Sequence, residues 1–291
     1  MAVQSFQWTL SSLLAGDAQA LTVLIPFFLL SLRIAVVLGM TPVLYAMPIP
    51  NRVRALVVLA LAAVLSVALP VDGAMVRTTV GGIIESALIE IALGATLALG
   101  VSVAFAAFAV AGNLLDVQIG FGIAQVFDPV SNRPSALLVS AFNYAAVVVF
   151  FLVDGHHALL RAIAYSLQVF PLGTPWSLMA VASPLFKHVG GLFVLGFALA
   201  APVVFCILLV ELALGVVSRN LPQINMLVLG IPTKIVVGLA VLSLWFAGMG
   251  GAMNRVYASI YEMWEGVFLS APQASRSAAD RSGLLPAEGA R

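Results

Sequence analysis

Long apolar runs, separated by short stretches that contain proline, glycine and charged residues, dominate this chain. The runs lie at about residues 21–46, 55–71, 79–111, 135–153, 189–216 and 226–250. Runs of this length match the roughly 20 apolar residues that a helix needs to cross a bilayer. They lack the strict alternation of barrel strands, and backbone groups in lipid must pair within their own segment. The pattern predicts an all-α, polytopic integral membrane protein with about six hydrophobic helices.

Composition excludes an ordinary soluble protein. Of the 291 residues, 62% are hydrophobic and 9% are charged, whereas soluble domains carry about 25% charged residues. This apolar content indicates membrane lipids as neighbours. The Lys and Arg residues are scattered and the formal net charge is +1, so no basic patch indicates a nucleic-acid partner. Cys206 is the only cysteine, which excludes a multi-cysteine metal or redox site.

The domain organisation follows from the same pattern. We expect one membrane-embedded domain over residues 1–269. Residues 270–291 are rich in Ala, Ser, Pro, Gly and charged residues without apolar periodicity, which predicts a disordered C-terminal tail.

Charged residues and prolines interrupt several of the apolar runs. At any single site, a charge near the end of a helix could extend to the membrane interface, and a proline could form a tolerated kink. Together these residues favour helices that are buried against protein. The charged positions are Arg33, Glu85, Glu90, Glu211 and Lys234, and the prolines are Pro26, Pro42, Pro202 and Pro232.

Glu211 and Lys234 lie at similar sequence distances from the turn at residues 221–223. An α-helix rises about 1.5 Å per residue, so an antiparallel hairpin would place both side chains at a similar depth. The spacing predicts an ion pair that sets the register of the last two hydrophobic runs.

The segment AGNLLDVQIGFGIAQVFDPVSNRPS, residues 111–135, mixes polar and apolar residues. It is too polar for lipid and too apolar for an ordinary solvated loop. Gly112, Gly120 and Gly122 permit close backbone approaches, and irregular backbone at membrane depth persists only where it is buried in protein or lines a cavity. Both a loop inside a channel and an amphipathic connection on the membrane surface fit this composition.

The polar tetrapeptide Asp154-Gly155-His156-His157 closes the fourth run. One aspartate and two histidines are candidate metal ligands or proton carriers. Adjacent histidines on a helix point about 100° apart, whereas ligands at i and i+4 share a face. The spacing therefore favours a polar end to the run over a metal site.

The third informative segment, residues 218–242, begins with a polar turn that contains Pro222. The apolar run that follows is interrupted by Gly230, Pro232 and Lys234. These residues predict a kinked span with exposed backbone carbonyls.

Two of these segments resemble the FliR/SctT family of type III protein-export subunits. AGNLLDVQIGFGIAQVFDP is similar to the family's A-G-x-L pattern that leads to F-D-P, and LPQINMLVLGIPTKIVVGL is similar to its P-x-hydrophobic-N and L-G-hydrophobic-P-hydrophobic-K signature. The intervening NYAAVVVFFLVDGHHALL and the TPVLYAMPIPNRVR stretch after Arg33 also fit. The resemblance covers residues 24–257. Asp154, where the family often has Asn, and Thr233, where an apolar residue is common, depart from it.

The resemblance implies a FliR-type subunit that assembles with FliP-type and FliQ-type subunits, joined by FlhB and FlhA. Such a core lies in the bacterial inner membrane at the flagellar basal body and forms the passage for unfolded flagellar proteins. The segment matching residues 115–126, termed the plug segment below, is implied to close this passage. Its candidate residues are Leu115, Gln118, Gly120, Phe121, Gly122, Ile123 and Val126.

The candidate assembly residues lie on both sides of the plug segment. They are Arg33, Asp128, Pro129, Glu211, Pro222, Asn225, Gly230, Pro232 and Lys234. The resemblance implies that other components drive export, and no GxxxxGK[ST] motif is present in the sequence, so we expect no catalytic residue, cofactor or metal.

Three other functions make different demands on the sequence. The injectisome branch of the same family is the nearest alternative, and the LGIP sequence at residues 229–232 favours the flagellar branch. A secondary transporter would use the intramembrane charges for coupling and would show an internal repeat, which the two halves of the chain lack. An intramembrane enzyme centred on His156 and His157, with Asp154 or Asp128, would lack a nucleophile with a placed base.

Overall fold

The computed structural model describes residues 24–42, 49–69, 79–121, 137–176, 178–221 and 226–270. Within these ranges every regular element is an α-helix, which confirms the predicted all-α class. The helices are α1 (Leu24–Met40), α2 (Asn51–Ala68), α3 (Val80–Ile119), α4 (Leu137–Leu152), α5 (Gly155–Val169), α6 (Leu178–Asn220), α7 (Met226–Gly248) and α8 (Gly250–Leu269).

Four of the described helices are long and apolar enough to cross a membrane. They are α2, α3, the Val181–Asn220 part of α6 and the Val228–Gly248 part of α7. Helices α4 and α5, which are separated by a short break, count as a fifth candidate if they form one broken span, and α1 is apolar but shorter. The chain is therefore a multi-pass membrane protein.

All six predicted runs coincide with helices, whereas α5 and α8 do not stand out by hydropathy. Helix α8 is amphipathic: Met253, Val256 and Ile260 are buried, and Arg255 and Glu262 are exposed. Burial at intervals of three and four residues is typical of a helix that packs one face against protein. The mean hydropathy of the segment hides this pattern, because charged residues occupy the other face of the helix.

Helix α3 ends at Ile119, beyond the predicted end at residue 111. The expectation of an irregular segment from residue 111 onward is therefore wrong for residues 111–119. Ala111, Leu115 and Ile119 are all completely buried, and their spacing of four residues places them on one side of a helix. Packing of this apolar side outweighs the polar residues that suggested a loop.

The prolines within the long helices do not end them. Helix α6 continues through Pro184 and Pro202, and α7 continues through Pro232. The interruption predicted around Gly230 and Pro232 is therefore not a break in secondary structure. Proline is tolerated in membrane helices because neighbouring groups satisfy the backbone that it leaves unpaired.

The chain divides into two compact units, each with its own buried side chains. The first comprises residues 1–99, 157–183 and 264–291, and the second comprises residues 100–156 and 184–263. Buried aliphatic residues of α1, α3 and α5 fill the first unit: Leu29, Leu30, Ile34, Leu93, Leu97 and Ile163.

Aromatic rings surround Tyr257 in the second unit. The ring of Tyr257 lies 5.7 Å from that of Phe108 and 5.9 Å from that of Phe150, measured between centroids. Its hydroxyl donates to the carbonyl of Ala146 at 2.5 Å, which satisfies the polar group within the apolar core. Burial raises the pKa of the Tyr257 phenol, so the side chain stays a neutral donor. This contact joins α8 to α4.

Candidate functional site

Arg33 is completely buried and is held by acceptors on two other helices and the loop after α5. Its Nε donates to Glu90 Oε2 at 2.5 Å, and Glu90 is also completely buried. Its Nη1 donates to Ser166 Oγ at 3.1 Å, and its Nη2 donates to the carbonyl of Phe170 at 2.9 Å. The guanidinium therefore connects α1 to α3, to α5 and to the residue that follows α5.

This arrangement explains how two charges persist inside an apolar chain. A buried charge is costly unless it is both paired and hydrogen-bonded. Gly94 allows the helices to approach, because a Cβ at this position would lie 2.9 Å from the carbonyl oxygen of Arg33. The sequence indicated that Arg33 and Glu90 face protein, and their burial confirms it. Sequence reasoning did not identify Ser166 or Phe170 as their partners.

Glu211 on α6 and Lys234 on α7 form an ion pair, as their spacing predicted. The side chains of Lys234 and Glu211 are 26% and 38% exposed in this chain. Helices α6 and α7 are further joined by the indole of Trp245, which donates to the carbonyl of Leu199 at 2.9 Å. The pair therefore lies at the edge of the helical hairpin, partly uncovered. Its effect on register stays a prediction.

Asp116 joins the end of α3 to the start of α4. Its Oδ1 accepts from the backbone N–H of Leu138 at 3.1 Å, and its Oδ2 accepts from that of Val139 at 3.2 Å. The side chain is 2% exposed. These N–H groups lie in the first turn of α4, where helical backbone donors have no partner within the helix and a carboxylate is favourable.

Sequence reasoning missed Asp116, although it lies within the AGNLLDVQ motif. The available signal was its position four residues after Gly112, which places both on one side of α3. A Cβ on Gly112 would lie 2.7 Å from the Cα of Val139. Helices α3 and α4 thus approach at Gly112, and the carboxylate of Asp116 satisfies the backbone donors at the same contact.

A second close approach involves the last residue of α3. A Cβ on Gly238 of α7 would lie 2.7 Å from Cγ1 of Ile119. Residues at the C-terminal end of α3 therefore contact both α4 and α7 closely. The candidate plug segment begins at this packed end of the helix.

The structure describes four of the seven candidate plug residues. Leu115 is completely buried within α3, Gln118 is half-buried in the last turn of that helix, and Phe121 is half-buried after it. Gly120 has a φ of +103° and its N–H donates to the carbonyl of Asp116 at 3.2 Å, which is typical of a glycine that ends a helix. Gly122, Ile123 and Val126 lie outside the described residues.

The remaining candidate assembly residues are not brought into one cluster by the described parts of the chain. Gly230 is buried in α7, where a Cβ would lie 3.7 Å from Cδ1 of Leu214, and Pro232 is exposed two positions later. Asp128, Pro129, Pro222 and Asn225 lie outside the described residues.

The polar tetrapeptide begins in the turn after α4 with Asp154 and continues into the first turn of α5, which starts at Gly155. Asp154 has a positive φ of 56°, a conformation that Asn and Asp tolerate better than most residues. One potential ligand atom from each of Asp154, His156 and His157 lies within 4.8 Å of the other two. The potential ligand atoms thus lie close together although the Cβ directions of adjacent histidines diverge, because side-chain torsions bring them together.

Comparison with known proteins shows which family and which relatives this chain is similar to. The model of the family "Bacterial export proteins, family 1" matches residues 24–260. The chain is 37% identical over 177 residues to the flagellar biosynthetic protein FliR of Bacillus subtilis (strain 168), covering 60% of this chain and 68% of that protein.

Two further relatives cover different shares of the chain. The flagellar biosynthetic protein FliR of Pectobacterium carotovorum subsp. carotovorum is 27% identical over 245 residues, or 81% of this chain and 90% of that protein. The surface presentation of antigens protein SpaR of Shigella sonnei is 32% identical over 136 residues, or 47% of this chain and 52% of that protein. The resemblance inferred from the two sequence motifs is confirmed.

Proposed function

The chain belongs to the bacterial export proteins, family 1, and as such is a membrane component of a flagellar export apparatus; we propose that it is the FliR-type subunit of the flagellar type III protein-export gate. The family match over residues 24–260, which includes every described helix up to the middle of α8, carries this proposal. The proposed location is the bacterial inner membrane, at the flagellar basal body.

In this proposal the chain assembles with FliP-type and FliQ-type subunits, and FlhB and FlhA join them. The surface of α6 supports an assembled state, since Phe193, Phe197 and Phe205 are each about three-fifths exposed in the isolated chain. Lipid or a partner can cover such residues. Lipid alone is a poor neighbour for Glu211 and Lys234, because charges within the membrane are costly unless they face protein or water.

The plug segment is proposed to close a passage for unfolded flagellar proteins. Its mixed composition supports this role, since a segment too polar for lipid and too apolar for an ordinary solvated loop is favoured against protein or in a cavity. Leu115 and Gln118 lie in the last turns of α3, so the proposed plug segment begins within this helix. The membrane-embedded domain is proposed to span residues 1–269, with a separate tail at 270–291.

Co-purification tests the proposed assembly. The full chain, carrying an affinity tag and produced together with FliP-type and FliQ-type proteins, is expected to isolate both from detergent-solubilised membranes. A Glu265→Gln variant, altered at an exposed position of α8, should isolate them equally well. Recovery of the chain in folded form without either partner would contradict the assembly.

One observation supports a second candidate. The similarity to SpaR of Shigella sonnei fits a subunit of the related injectisome export apparatus. Complementation separates the two functions: in a bacterium that lacks its own FliR protein, the chain should restore motility if it is flagellar. Restored needle-dependent secretion in a bacterium that lacks its own injectisome subunit, without restored motility, would favour the second candidate.

A further inference from the structure

We propose that Asp154, His156 and His157 bind one divalent transition-metal ion, of which Zn²⁺ is the best match. The three residues lie within four consecutive positions, at the turn after α4 and in the first turn of α5. One potential ligand atom of each lies within 4.8 Å of the other two. Among the described residues these form the group of three such side chains whose ligand atoms converge in this way.

The donor atoms suit zinc. Zinc binds imidazole nitrogen and carboxylate oxygen at about 2.0–2.2 Å, so ligand atoms in a tetrahedral site lie about 3.3 Å apart. The observed separations need to shrink by at most about 1.5 Å, which side-chain torsions of residues on a surface can supply. Asp154 and His157 are exposed and His156 is half-buried. A metal here would thus have three protein ligands and a position open to water.

The local backbone restricts the ligands before a metal binds. Gly155 packs against Phe150 so closely that a Cβ would lie 2.5 Å from its ring. The positive φ of Asp154 turns the chain immediately before this contact. The His156 ring lies 5.2 Å from the Phe151 ring, centroid to centroid, which limits its rotation. Two of the three ligands are therefore positioned by packing, which lowers the entropic cost of binding.

The charge of Asp154 suits a cation site at this position. The N-terminal end of a helix carries a partial positive charge and disfavours a cation. The carboxylate of Asp154 offsets this charge and supplies one bond to the metal. The same carboxylate could instead satisfy backbone donors at the start of α5, which is the polar end predicted from the sequence. The two roles differ in whether the histidines matter, because an end cap requires neither imidazole.

A direct measurement of metal binding tests the site. The full chain is purified with its co-produced partner subunits through a tag without histidine, and binding of Zn²⁺ and Co²⁺ is measured by equilibrium dialysis and by the visible absorption of Co²⁺. One ion per chain is expected. His157→Ala and Asp154→Asn should each weaken binding at least about tenfold, equivalent to 1.4 kcal/mol. Asp154→Asn keeps a residue that tolerates a positive φ.

Two matched variants distinguish ligand loss from damage to the fold. Glu265→Gln, exposed on α8, should bind metal as the original chain does. His157→Cys should recover zinc binding and add the absorption of a thiolate–Co²⁺ bond, because cysteine is also a zinc ligand. The chain has three histidines. The third, His188, is not part of this group, and its Nε2 lies 3.0 Å from the carbonyl oxygen of Gly100.

The proposal fails if the original chain takes up no ion, or if His157→Ala and Asp154→Asn bind it as tightly as the original. It also fails if His157→Cys is folded and does not recover binding. Metal uptake by the unaltered chain tests the proposal by itself. The proposal can therefore be contradicted even if a variant folds poorly. A positive result would assign the turn between α4 and α5 as a metal-stabilised element.

Discussion

Arg33 and Glu90 are separated by 57 residues in sequence, and their Nε and Oε2 atoms lie 2.5 Å apart with neither side chain exposed. The contact joins the short helix α1 to the long helix α3. Because both charges are removed from solvent, each depends on the other. The pair is therefore an element of the fold that a single substitution can test.

Arg33→Met or Glu90→Leu alone should destabilise the chain by about 3–5 kcal/mol, because each leaves an uncompensated buried charge. The double variant should recover much of this loss, since apolar residues of similar volume can replace a buried pair. Thermal unfolding of the detergent-solubilised chain is the measurement. Arg52→Met, at an exposed position of α2, is the control. Equal losses in the double and single variants would contradict mutual dependence.

Reversal of a single charge in the Glu211–Lys234 pair should impair assembly. Glu211→Lys places two cations together on α6 and α7, and an unpaired charge within a membrane helix costs about 2.5–3.5 kcal/mol. The double reversal, Glu211→Lys with Lys234→Glu, should restore recovery of FliP-type and FliQ-type subunits. If the double reversal assembles no better than the single variants, the pair does not set the hairpin register.

Asp116→Ala should destabilise the chain by about 0.5–2 kcal/mol, the usual cost of losing a side-chain acceptor at a helix start. Asp116→Asn should cost less, because its amide oxygen can still accept one of the two N–H groups. Thermal unfolding again provides the measurement. Asn113→Ala lies on the same helix at an exposed position and should be near neutral. A loss of similar size at Asn113 would show that α3 is sensitive for another reason.

A bulky or charged residue at Gly120 or Gly122 should alter closure of the passage. Gly120 has a positive φ, and other L-residues pay about 1–2 kcal/mol in that conformation. Ion leakage across membranes that contain the assembled gate, together with flagellar export, is the readout. Gly190→Ala on α6 is the control, since a Cβ there meets nothing within 4 Å. Unchanged conductance and export in Gly120→Asp and Gly122→Asp would contradict the plug assignment.

Contacts between neighbours in sequence were more predictable than contacts between distant segments. The Glu211–Lys234 pair followed from equal distances to one turn, because an antiparallel hairpin has few alternative registers. Arg33 and Ser166, which are 133 residues apart, carry no such geometric relation. A single sequence shows that a buried arginine needs acceptors, and it does not show which segments supply them.

Chain-wide hydropathy by itself determined the all-α class and the membrane setting, because apolar runs in lipid must satisfy their own backbone groups locally. The motifs determined the family. Tertiary structure alone decided that α3 continues to Ile119, that Asp116 binds the start of α4, and that the side chains of Asp154, His156 and His157 converge. Each of these depends on packing between segments or on side-chain torsions, which neither hydropathy nor residue spacing specifies.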